Sequence, residues 1–152
     1  MKIFSGRYTA FTEDSFVVFI IGFRINNYFA VHKWIPVAKA MGPMVKELYT
    51  HKELGFLHTE MFLNTRGIFM VQYWKTYDQL EKYAHGSLHL KAWKNFNTKI
   101  GNNPTVGVYH ETCLIDKGKV ETIYNNMPKF GLAKAFEHIP ITKKTDNSRS
   151  RL

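Results

Sequence analysis

Two histidines have the surroundings of a base. His89 falls near the start of a helix-forming stretch, on the face it shares with Ala92, Trp93, Phe96 and Ile100. A helix N-terminus and burial both favour the neutral imidazole, the form that accepts a proton or ligates iron. A core-edge histidine hydrogen-bonded to backbone has the same pattern, and both readings stand. His85 is four residues earlier, but Gly86-Ser87 interrupts the helix, so the two do not form a paired metal site. His110 sits on a strand-like stretch beside Glu111. Strand neighbours point to opposite faces, so His110 and Glu111 cannot share a pocket. His110 reads either as a site residue or as a histidine at a sheet edge or dimer seam.

The polar groups that could serve such a base are few. Gln72 and Trp74 share a strand face, and an indole at a pocket mouth can stack on a planar substrate. Arg24 and Asn26 end a strand that is otherwise apolar, which suggests a polar patch inside a greasy cavity or simply a strand end in water. His58 and Glu60 share a face, as polar lining or as cross-strand partners at an exposed edge. There is no GxGxxG, phosphate loop, GxSxG elbow or HExxH. Nucleotide-linked hydride transfer, phosphoryl transfer and serine hydrolysis therefore have no support.

The elements that must position these groups follow from periodicity. Residues 15–26 form the first strand, with Val17, Phe19, Ile21, Phe23 and Ile25 facing covering helices. Residues 34–52 are helical, Pro36 falling in the first turn and Gly42-Pro43 kinking the helix or splitting it. Residues 54–63 and 67–74 make a hairpin across Asn64-Thr-Arg-Gly67, with Phe56, His58, Glu60 and Phe62 on one side of the first strand. Thr76 and Gln79 form a capping box for a helix that Gly86 ends; Ser87 caps the next, and 105–115 is the last strand. The order βαββαβ implies an α+β, ferredoxin-like sandwich with an antiparallel sheet and helices on one face. The other face would carry Phe16, Val18, Ile20, Ile68, Met70 and Trp74, too apolar for water. A second copy packed sheet to sheet is the expected cover, hence a homodimer.

One domain is expected over residues 1–141, with a core at 15–115 and a C-terminal extension at 116–141 that laps over a partner or closes the pocket. Residues 1–13 read as an extended lead-in and 142–152 as a flexible basic tail. Hydrophobic content of 45% and aromatic content of 15% are those of a globular chain. A single cysteine, Cys113, permits no internal disulfide or cysteine-only metal cage, and it fits a reducing, cytoplasmic setting. The run at 16–23 is too short to span a bilayer, and Glu13 and Asp14 precede it where a signal peptide carries Lys or Arg. No membrane or metal is expected.

A net charge of +9 and the βαββαβ order also invite an RNA-binding reading. The third-strand pattern of RNA-recognition domains is met in Arg66-Gly-Ile-Phe-Met-Val-Gln-Tyr73 at Arg66, Gly67, Val71 and Tyr73. It fails where bases would stack, at Ile68 and Met70. Each lost platform removes roughly 1–3 kcal/mol, so nucleic acid is not an expected partner.

The segments Gly6-Arg-Tyr-Thr-Ala10, 16–26, Lys33-Trp-Ile-Pro36, Gln72-Tyr-Trp74, His89 with Ala92-Trp93, Val106-Gly107, His110-Glu-Thr112, Asn126-Met-Pro128 and Gly131-Leu132 run through nearly the whole chain. Together they resemble an uncharacterised bacterial and fungal family named after a monooxygenase of fungal fumagillin biosynthesis. That family is grouped with dimeric α/β-barrel proteins, among them cofactor-free antibiotic-biosynthesis monooxygenases, haem-degrading enzymes and aldoxime dehydratases. The resemblance implies a dimeric α/β barrel and a monooxygenase-type oxidoreductase acting on a small apolar organic molecule. The site residues rest on the chain's own pattern and not on the resemblance: His89 or His110 as the base, or the axial ligand if haem is the cofactor, with Arg24, Asn26, Gln72 and Trp74 lining the pocket. The alternative is a non-catalytic dimer that binds a hydrophobic metabolite or haem.

Overall fold

A run of β-branched and aromatic residues, FVVFIIGFRI, builds the central strand. In the computed structural model, which describes residues 1–152, this is β2 (Phe16–Ile25), paired along both edges. The other strands are β1 (Phe4–Phe11), β3 (Phe56–Asn64), β4 (Gly67–Trp74), β5 (Val106–Ile115), β6 (Tyr124–Met127) and β7 (Glu137–Pro140). The helices are α1 (Val31–Thr50), α2 (Tyr77–Ala84), α3 (Ser87–Lys99) and α4 (Leu132–Ala135). Strands β2 to β5 form an antiparallel four-stranded sheet in the order β3-β4-β2-β5, the ferredoxin-like arrangement. The hydroxyl of Thr76 accepts the Gln79 amide at 3.2 Å and starts α2, as the capping pattern implied, whereas Gly86 rather than Ser87 caps α3.

Register decides which side chains face the helices, because directly opposed residues share a face. Val17 lies opposite Trp74 and Leu114, Phe19 opposite Gln72 and Thr112, Ile21 opposite Met70 and His110. Ile68, Met70 and Trp74 therefore face the helices, which corrects their expected place on the far side. The far side instead carries Phe16, Val18, Ile20, Phe69, Val71 and Tyr73. The buried helix-side residues fall into a cluster around Val17, Leu48, Phe56, Trp74 and Leu80, and another around Phe23, Ile25, Met41, Met70 and Ile100.

Strand β3 departs from simple alternation. Phe56 opposes Trp74 but His58 opposes Tyr73, so one extra residue, Leu57, is absorbed as a bulge. Phe56 thus turns to the helices while His58, Glu60 and Phe62 turn away, and the expected common side of Phe56 and His58 is lost. Helix α1 begins three residues earlier than the periodicity implied and runs unbroken through Gly42-Pro43. Pro36 is then interior, and both prolines leave a carbonyl one turn back, at His32 and Lys39, without its amide donor.

The chain supplies part of its own cover for the far face. Strands β6, β1 and β7 form a second antiparallel sheet. With α4 it buries Phe16, Tyr73 and Leu132, against which Ala10, Val18, Val71 and Phe136 also pack. The lead-in is thus a strand, and the C-terminal extension pairs with it. The basic tail is also held: Arg151 is paired with Glu121 at 2.5 Å and Arg7 with Asp146 at 2.6 Å.

Gly22 marks a tight point of the far face. A Cβ there would meet the Ile68 carbonyl at 2.7 Å, Phe69 Cβ at 2.8 Å and the Tyr109 hydroxyl at 2.8 Å. Two of these three neighbours are backbone or Cβ atoms that cannot swing aside. Gly22→Ala is expected to destabilise the fold by about 1–3 kcal/mol, read as a lower urea midpoint at unchanged slope.

Candidate active site

The sheet-to-helix side brings four of the expected residues into one neighbourhood. Trp74 has no exposed surface, and its indole N–H donates to Gln72 Oε1 at 3.1 Å inside the core. The Tyr83 ring packs on Trp74 with centroids 5.5 Å apart, and His89 lies against Tyr83 at 6.0 Å. On the sheet, Phe19 is the direct neighbour of Gln72, and the His110 ring stands 5.5 Å from Phe19. Gln72 and Trp74 are therefore buried framework, with Tyr83 and then His89 packed on one flank and Phe19 and then His110 along the sheet.

His89 combines both readings left open by its spacing. Its Nδ1 is 2.8 Å from the Ala84 carbonyl, which can only accept, so Nδ1 carries the proton. In the neutral ring, Nε2 is then a bare lone pair available to a substrate proton. The backbone bond is what fixes that tautomer. His110 is exposed at the free edge of the sheet, with no recorded hydrogen bond to orient it. Of the two, His89 has the geometry of a positioned base.

Arg24 and Asn26 lie elsewhere. Arg24 is exposed and points to the far side, opposite Gly67 and Gly107. The Asn26 amide donates to the Pro104 carbonyl at 2.8 Å and fastens the loop before β5. The alternation that separated odd from even positions in β2 already separated these two from the helix side. Tyr83, Phe19 and Glu47 are the neighbours that sequence reading missed. Burial pushes the Tyr83 phenol up, with Glu47 nearby reinforcing the effect, so it stays protonated. One carboxylate oxygen of Glu47 is buried without a hydrogen-bond partner. Only helical spacing in α1 could have pointed to Glu47, and that spacing marks core and site residues alike.

As a haem ligand, His89 has the right donor set, a backbone-anchored Nδ1–H and a free Nε2. That donor set fits iron: were haem bound, His89 would hold it through Nε2 and the group would supply oxygen activation there. No cluster of three or more His, Cys, Asp or Glu could hold a metal ion, and no helix is long and apolar enough to cross a membrane.

On the far face a separate polar network ties the C-terminal segment down. Glu60 Oε1 accepts from Lys134 Nζ at 2.8 Å, the Gly131 amide at 3.0 Å and His58 Nε2 at 3.1 Å. Burial pushes the Glu60 carboxyl up, but Lys134, the Gly131 amide and His58 outweigh it and hold it below its ordinary 4.5. Burial likewise holds His58 below 6.5 against the pull of Glu60. Both depressed groups contribute stability that is present above their ordinary values and lost as pH falls through the folded ones. The melting temperature is thus expected to decline from about pH 6.5 downward and more steeply below about 4.5, and Glu60→Gln should flatten the lower part of that decline.

A ferredoxin-like α+β sandwich with an aromatic helix-side surface and a backbone-oriented histidine at its edge defines the class. The chain belongs to the Monooxygenase af470-like family, whose pattern matches residues 16–132. Monooxygenase af470 from Aspergillus fumigatus is 28% identical over 126 residues, covering 75% of this chain and 44% of that protein. Among solved structures, an aldoxime dehydratase superposes with a TM-score of 0.70 at 17% identity, over 86% of this chain and 41% of that one. An aldoxime dehydratase crystallised with butyraldoxime gives 0.67 at 15% identity, over 80% and 37%. At these identities the structures establish shared fold alone, and the chain spans less than half the length of each relative.

Proposed function

We propose that the chain is a monooxygenase-type oxidoreductase acting on a small, largely apolar organic molecule at the helix-side surface. The observation that carries this is the His89 imidazole, fixed by Ala84 with Nε2 free, beside Tyr83 and at the edge of an aromatic wall. His89 removes a proton from an acidic carbon or phenol, and the resulting carbanion-like substrate, itself the electron donor, reacts with oxygen, keeping one atom as a new carbonyl while the other leaves as water. Phe19, Tyr83 and His110 bound the space in which the substrate lies, and Trp74 with Gln72 holds that wall rigid. Membership of the Monooxygenase af470-like family supports the reaction class. The test is oxygen uptake with a panel of small enolisable and phenolic aromatics. Uptake lost in the His89→Ala, His110→Ala double variant supports the assignment, and full uptake in that variant refutes it.

The working form proposed is a cytoplasmic homodimer. Ile20 and Phe69 remain only half-buried on the far face, outside the cluster that the second sheet helps to bury. Light scattering is expected to give twice the mass of the chain, and Ile20→Asp, which puts a charge on that face, to halve it.

A further inference from the structure

A cleft of about 280 Å³ opens at the end of the sheet remote from Arg24, lined by Leu48, Tyr49, Lys52, Phe56, Leu57 and Lys75. Its floor is apolar: Leu48 and Phe56 belong to the buried core, and Leu57 is the bulged residue of β3. The Tyr49 and Phe56 rings meet edge to face with centroids 5.1 Å apart. The Tyr49 hydroxyl is already committed, lying 2.9 Å from His58 Nδ1 and accepting from the Thr59 amide at 3.3 Å. His58 in turn donates from Nε2 to Glu60, which leaves Nδ1 bare and makes Tyr49 the donor to it. This chain locks the Tyr49 wall in place and leaves no polar hydrogen of that residue for a ligand.

The polar groups still available are the ammonium groups of Lys52 and Lys75. Neither takes part in any ion pair or side-chain hydrogen bond of the structure, and the nearby Glu53 is engaged by His51 at 2.8 Å. The C-terminal end of α1 at the rim contributes a partial negative charge of roughly half a unit, against two full positive charges. The balance favours an anion. The volume falls just below the roughly 300 Å³ at which ligand pockets begin, which limits the occupant to one or two rings.

We propose that this cleft is a binding site for a small aromatic carboxylate, its ring against Tyr49, Leu57 and the edge of Phe56, above Leu48, and its carboxylate between Lys52 and Lys75. The site is separate from the His89 surface and stands or falls independently of the oxygenase reading. The test is methyl NMR of leucine-labelled protein titrated with 1-naphthoate, with neutral 1-naphthalenemethanol as the control. Saturable shifts of the Leu48 and Leu57 methyls are expected with the acid. Affinity is expected to fall at least about tenfold both for the alcohol and in the Lys52→Gln, Lys75→Gln variant. These lysines are exposed, so the variant keeps its fold. Equal binding of the alcohol, unchanged affinity in the variant, or no saturable shift at Leu48 and Leu57 would each overturn the proposal.

Discussion

His89→Ala is expected to lower turnover by about 10²–10⁴-fold, the range that one positioned general base supplies. The fold should survive, because the side chain is only half-buried and gives up a single hydrogen bond to Ala84. That loss amounts to about 0.5–1.5 kcal/mol. His89→Gln separates base from prop: its amide can still donate to the Ala84 carbonyl, but it has no lone pair of comparable basicity. If His89 is the base, the glutamine variant is as inactive as alanine and loses the rising limb of the kcat/KM pH profile. If the histidine only braces the start of α3, glutamine restores turnover.

The largest effect on stability is expected at Trp74. This side chain is completely enclosed, flanked by Phe56 and Tyr83 at 5.5 Å and bonded to Gln72. Trp74→Ala should cost about 3–5 kcal/mol, because the cavity is walled by two sheet strands and two helices that cannot collapse into it. For a domain with a total stability of about 5–15 kcal/mol this approaches unfolding. Trp74→Phe keeps much of the volume but strands the buried Gln72 oxygen, at about 1–3 kcal/mol. Gln72→Leu should cost a similar amount by stranding the indole N–H. Removing both polar partners together, as Trp74→Phe with Gln72→Leu, should cost less than the sum of the two. Urea unfolding of the four proteins measures that coupling.

The four-stranded sandwich was legible in the sequence because its signals are local. The apolar run of β2, the Thr76–Gln79 cap and the Gly67 turn each act within a few residues. What the sequence did not show is set by long-range pairing. Strand β1 joins β6 and β7 across more than a hundred residues, and the latter two strands have only four residues each. No periodicity is measurable over so short a span. The assignment of Ile68, Met70 and Trp74 to the far face failed because strand parity fixes alternation but not phase between strands. Only the register, with Val17 opposite Trp74, supplies the phase. The bulge at Leu57 reversed Phe56 for the same reason. At the candidate site, helical spacing singled out His89, and alternation paired Gln72 with Trp74 without fixing which side of the sheet they take. Arg24 and Asn26 were drawn in by their polarity against their own alternation, while Tyr83 and Glu47 looked like ordinary helix residues.

The measurement that bears most directly on the oxygenase reading is mass spectrometry of products formed under ¹⁸O₂. The purified chain would be incubated with the panel of small enolisable and phenolic aromatics, alongside His89→Gln. Incorporation of one labelled oxygen atom into a product by the wild-type chain, and none by the variant, is the outcome this account requires. A ligand that binds at the helix-side surface and is recovered unlabelled and unchanged would contradict it and leave a binding protein in its place.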